Sequence, residues 1–127
     1  MTILDYIRNE IITLGYPNVY IGSYNDDYDN IVAIKYIEPM KGSTSTFATD
    51  GAETAIRHFE IEIKVRNTSF DTGFTCLEAI RTHFSAHKYS KVDIIAKSDM
   101  LTKGNDEKNR SIVAIQFHIK AIGGTTL

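Results

Sequence analysis

The chain has little of what usually marks a secreted, membrane-embedded or metal-stapled protein. One cysteine, Cys76, stands among 127 residues, so no internal disulfide can form, and the expectation is synthesis in a reducing, intracellular compartment. There are two prolines and no tryptophan. No stretch approaches the roughly 20 consecutive apolar residues that a membrane span needs. The amino terminus, Met1-Thr2-Ile3-Leu4-Asp5-Tyr6-Ile7-Arg8, places an acid where a signal peptide would have a basic flank followed by an apolar run. An excess of one charge is lacking too. The 14 Lys and Arg against 16 Asp and Glu leave a formal charge of -2, which gives no long-range attraction for phosphate backbones or anionic lipid. Neither nucleic acid nor membrane is therefore an expected partner. What is present, 43% hydrophobic and 24% charged residues, is the balance of one soluble domain over residues 1–127, long enough to close a single core without staples.

Periodicity supplies the elements. Ile3, Leu4, Ile7, Ile11 and Leu14 recur at helical spacing, with Thr2 as N-cap and Asp5 three residues on as an imperfect capping box. Gly15 can take the left-handed conformation that ends such a helix, and Pro17 forbids its continuation. Val19 to Ile21 and Ile31 to Ile37, either side of a polar turn over 25–30, read as a hairpin of two strands. From Pro39 to about Ala55 the residues are small and hydroxylated with no period, predicting a long flexible loop over about 41–54 of the kind that is usually functional or disordered. His58, Glu60, Glu62, Lys64 and Arg66 then alternate with Phe59, Ile61, Ile63 and Val65, which is a strand with one buried face. Phe70, Phe74, Leu77, Ile80 and Phe84 form the stripe of a second helix running to about Ala86. Val92 to Lys97 reads as a shorter strand and Asp99 to Asn109 as a polar loop. Val113, Ile115, Phe117, Ile119 and Ala121 mark one phase of a long last strand, before a mobile tail over 123–127. The expected class is α+β: a small single domain with an antiparallel or mixed sheet of about five strands and two helices on one face, in the order α-β-β-β-α-β-β.

Chemistry is sparse. His83 and His87, four apart on the second helix, are half a metal site without a completing Cys or carboxylate, and a solvated helix end explains them. His58 and His118 fall on the polar phases of two long strands, where pairing with Glu60 or Glu62 is the structural reading. Cys76 lacks the motifs of a nucleophile and fits an inert buried thiol. The glycines near Gly42 and Gly123 lack phosphate-loop spacing. Asp26, Asp27 and Asp29 depart from a calcium loop in having no glycine at the sixth position and no flanking helices. Tyr20, Tyr24, Tyr28 and Tyr36 crowd the first two strands and suit partial burial or a protein interface better than base stacking. No catalytic residue, cofactor or metal is expected.

The run His58-Phe-Glu-Ile-Glu-Ile-Lys-Val-Arg66-Asn-Thr-Ser-Phe-Asp-Thr-Gly-Phe74, continuing Leu77-Glu-Ala-Ile80-Arg-Thr-His-Phe84, resembles the core of tailed-bacteriophage tail terminator and minor capsid proteins, which serve in head-tail joining and tail completion. The order of elements and the polar turn Lys103-Gly-Asn-Asp106 before Arg110-Ser-Ile-Val-Ala-Ile-Gln-Phe117 extend the likeness over nearly the whole chain. The resemblance implies a structural virion protein of the tail or neck, made in the bacterial cytoplasm, and not an enzyme. Such a protein assembles with itself into a ring, typically a hexamer, that caps the tail tube, stops its polymerisation and meets the head connector. Ring closure needs heterologous contacts, for which the candidates are Asp26, Asp27 and Asp29 in the first turn, Lys41, Phe47, Asp50 and Glu53 in the long loop, and Lys103, Asp106 and Arg110 near the last turn. Arg66, at the matching junction, is a candidate for an intersubunit salt bridge. The near alternative is another neck protein, serving in head completion or the connector. The distant one is a ligand-binding or enzymatic α+β domain with a pocket under the long loop.

Overall fold

The computed structural model describes residues 3–37, 44–46, 55–86 and 92–122. Helix α1 spans Ile3–Thr13, and the chain then forms β1 (Val19–Ile21), β2 (Ile31–Tyr36), β3 (Thr44–Thr46) and β4 (Ala55–Asn67). Helix α2 (Phe70–Ala86) follows, then β5 (Val92–Ala96), β6 (Leu101–Asn105) and β7 (Ser111–Ile122). The class is α+β, with two helices on a mixed sheet. It holds seven strands where about five were expected, because short strands form inside both stretches read as loops. Thr44–Thr46 pairs with Ala55–Arg57, and Leu101–Asn105 pairs with β7. Neither segment has a period of its own; each is extended by the long strand beside it. The remainder of the 41–54 segment and the 123–127 tail lie outside the described residues.

Strands β4 and β7 form the spine, antiparallel over twelve pairs from Ile56↔Ile122 to Asn67↔Ser111. β2 and then β3 run along one side of β4. β5 and then β6 run along the outer side of β7, and the sheet order is β1-β2-β4-β7-β5. The β6–β7 turn closes tightly: Asp106 N–H donates to the Arg110 carbonyl, and Asn109 sits at φ 61, a left-handed position that asparagine tolerates.

The expected hairpin of the first two strands is not formed. β1 runs parallel to β2, Val19 beside Val32 and Ile21 beside Ile34. Parallel neighbours usually need a connection of about a dozen residues or more. Here residues 22–30 suffice, because a three-residue strand leaves little length to retrace.

One apolar cluster fills the space between the sheet and both helices. Ile61, Ile63, Val65, Val113, Ile115, Phe117 and Ile119 come from the spine, and Ile3, Leu4, Ile7 and Ile11 from α1. From α2 the buried residues are Gly73, Cys76, Leu77, Ile80 and Phe84. The expected phenylalanine stripe is thus corrected at its start. Phe70 is 47% exposed and stacks on half-buried Phe74, while Gly73 lets the helix approach β4, its missing Cβ position only 3.1 Å from Asn67 Cβ. Helix α1 ends as expected: Gly15 adopts φ 107 and Tyr16 N–H reaches back to the Ile11 carbonyl. Leu14, past the helix end, is exposed.

Candidate functional site

The alternation of β4 sends His58, Glu60, Glu62, Lys64 and Arg66 to the face opposite α1 and α2, which carries no helix among the described residues. Glu60 and Glu62 are nonetheless only 5% exposed. Neighbouring strands explain this. Glu62 lies between Lys35 on β2 and Gln116 on β7 in register, and its carboxylate meets Lys35 at 3.6 Å, Lys64 at 3.9 Å and Lys103 at 3.4 Å. Glu60 accepts a hydrogen bond from Lys97 Nζ and lies 3.9 Å from His118 Nδ1. The ammonium groups meet the carboxylates directly, while the lysine side chains stay partly in water. The result is a face with acids beneath and lysines outside.

At one end of this face the segment 22–30 folds over the sheet. Arg66, 3% exposed, donates from Nη2 to the carbonyls of Asn25 at 3.1 Å and Tyr28 at 2.6 Å, and Tyr24 lies over its guanidinium at 5.2 Å. Its Nε is the one buried side-chain nitrogen or oxygen without a partner among the described residues. Arg110 holds the same segment from the β6–β7 turn. It meets Asp106 at 2.8 Å, Asp26 at 2.7 Å and Asp29 at 3.4 Å, and Lys108 adds a contact to Asp26 at 3.5 Å. Arg110 keeps the carboxyls of Asp26 and Asp106 below their ordinary range, with Lys108 assisting at Asp26, and they in turn raise the Arg110 guanidinium. The cation gathered by the acidic turn is thus an arginine of the same chain.

Five of the residues read as intersubunit contacts, Asp26, Asp29, Arg66, Asp106 and Arg110, therefore converge on one another within the subunit. Arg66 and Arg110 are buried there, while Asp26 and Asp29 remain 61% and 64% exposed at their side chains. Asp27 stands in a local turn, its N–H donating to Asn25 Oδ1. Lys103 belongs to the Glu62 cluster. Lys41, Phe47, Asp50 and Glu53 lie outside the described residues. Sequence reasoning missed the buried roles of Glu60 and Glu62, whose phase was legible but whose cover comes from other strands.

On the helix side, a cleft of about 310 Å³ opens where the α1–β1 connection meets the start of β2, the end of β4 and the first turns of α2, with Tyr16, Val32, Val65, Thr72 and Cys76 in its wall. Burial pushes the Cys76 thiol up to about 11, only partly offset by a hydrogen bond with Tyr16, so it stays protonated near neutral pH. Tyr16 is raised as well, by burial first and then by Cys76. Nearby, His83 Nε2 lies 3.2 Å from Glu10 Oε1 and links the two helices. The other half of the proposed helix pair, His87, is outside the described residues. Among the described residues no group of three or more metal-capable side chains stands together, and no helix is long and apolar enough to cross a membrane.

No known family model matches this chain, and no curated protein matches it in sequence.

Proposed function

We propose that the chain is a structural protein of a tailed phage, a tail terminator that closes into a ring on the tail tube, ends its polymerisation and joins it to the head connector. The observation that carries this reading is a sheet that, among the described residues, stops at two unlike edges. One edge is β1, where Ile21 is 38% exposed, and the other is the β5–β6 run, where Ile95 is 57% and Leu101 49% exposed. Open edges carrying aliphatic side chains are hazards unless a partner covers them. Two different edges meeting copy to copy make a heterologous contact, which closes a ring when the rotation allows. The strand-to-helix junction from Val65-Arg66 to Phe70 adds support: Ser69 caps α2 by accepting from Thr72 N–H.

Mass by light scattering behind a sizing column, with negative-stain images of the heaviest fraction, tests the reading. A particle of about six subunits is expected, converted to a 14.3 kDa species by Ile95→Lys. A monomer that stays monomeric and unbound when purified tail tubes are added overturns it. A ring that binds connector but not tube favours the neighbouring role in head completion. The cleft at Tyr16 and Cys76 favours a ligand-binding domain instead; a melting shift with a small apolar ligand, in a chain that never forms rings, is the result that reading requires.

A further inference from the structure

We propose that His58 and His118 form a two-nitrogen chelating site for a late first-row divalent cation such as Zn²⁺ or Ni²⁺ on the helix-free face of the sheet. The two residues are diagonal neighbours on the spine: His58 is opposite Lys120, and His118 is opposite Glu60. His58 Nδ1 and His118 Nε2 stand 3.1 Å apart, with ring centroids at 5.3 Å and the planes 41° apart. Two imidazoles bound at about 2.0–2.1 Å to one metal hold their nitrogens roughly 3.3 Å apart in tetrahedral geometry and roughly 2.9 Å apart when cis in an octahedron. The observed separation falls between these values, so the strands already hold the donors at a chelating span. Each ring needs a tilt of roughly 35° to bring its lone pair onto a common ion instead of onto the other ring. Both side chains are half-buried rather than enclosed, and water would take the remaining coordination positions.

The surroundings set the protons. Glu60 Oε1 lies 3.9 Å from His118 Nδ1; in the tautomer that puts the proton on this nitrogen, His118 Nε2 accepts and His58 Nδ1–H donates without metal. Metal takes the place of that shared proton, which moves to His58 Nε2, so a neutral pair binds with no net proton loss. A carboxylate behind a ligating imidazole is the usual device for fixing its tautomer. The other charges nearby are Lys97, which neutralises Glu60, Lys120 opposite His58, and Asp93 opposite Lys120. Imidazole donors select Zn²⁺, Ni²⁺ and Cu²⁺ over Mg²⁺ and Ca²⁺.

Titrating the full chain with Zn²⁺, Ni²⁺ and Mg²⁺ by calorimetry at pH 7.5 tests the site. One saturable Zn²⁺ or Ni²⁺ equivalent is expected, weakened about tenfold or more by His58→Gln and by His118→Gln, unaffected by His83→Gln, and absent with Mg²⁺. Imidazole ¹⁵N shifts identify the ligands independently of stability: His58 Nδ1 and His118 Nε2 should move together as metal is added. Equal isotherms for the parent and His58→Gln chains, loss of binding with His83→Gln, or shifts confined to other histidines would overturn the proposal.

Discussion

Both faces of the β4–β7 spine contain buried side chains, covered by opposite means. On the helix side Ile63, Ile115 and Phe117 are inaccessible to solvent within one apolar cluster that both helices and the neighbouring strands complete. On the other side neither described helix packs, yet Glu60, Glu62 and Arg66 are 3–5% exposed, each held by charged or polar partners on the sheet and the 22–30 segment. Apolar burial contributes in proportion to area and needs no particular partner. A buried charge contributes only while its partners stay in place, since desolvation costs several kcal/mol when one is removed. The helix side should therefore carry the stability, and the bare side should carry the geometry of the 22–30 segment and the sheet's outer surface.

The largest effect should come from the helix side. Phe117→Ala leaves a cavity beneath Phe84 and should lower unfolding free energy by about 3–5 kcal/mol in chemical denaturation; a loss under 1 kcal/mol would mean that the core does not close as described. Arg66→Met, which keeps the stem and deletes the bonds to Asn25 and Tyr28, should cost about 1–3 kcal/mol. It should also speed amide exchange across residues 23–29 while α2 stays protected; unchanged exchange there would remove the anchoring role.

Acid sharpens the same contrast. Because Arg110 holds Asp26 and Asp106 below their ordinary carboxyl range, their contribution is present above that range and fades as pH falls through their lowered values. Arg110→Met should flatten this part of the acid limb of the stability curve, and an unaltered limb would count against the network. The smallest effect is reserved for the rim: Lys35 is 55% exposed beside Glu62, which keeps two other lysines. Lys35→Ala should therefore change stability by no more than about 0.5 kcal/mol, and less in high salt.

The parts of this fold that were legible in the sequence are those whose pattern repeats within one element. The α1 stripe, the end of that helix at Gly15, the α2 limits and the alternation in β4 and β7 all follow from periods of 3.6 and 2, which sterics impose locally. β3 and β6 were not legible, because Thr44–Thr46 and Leu101–Asn105 are strands only by virtue of the long strands they lie against. The parallel setting of β1 was hidden for a related reason, since two apolar runs and a polar turn fit either direction. Arg66 and Arg110 were legible as charges, but their convergence on Asp26 joins residues 40 and 84 positions apart in the chain.

Local sterics and hydrophobic period thus settled, from the chain alone, an α+β domain with one apolar phase per long strand. Which strands adjoin, which carboxylates are covered, and that His58 and His118 face each other were decided only by tertiary structure, because those are pairings between distant segments, and side-chain alternation specifies a strand's face but not its neighbour.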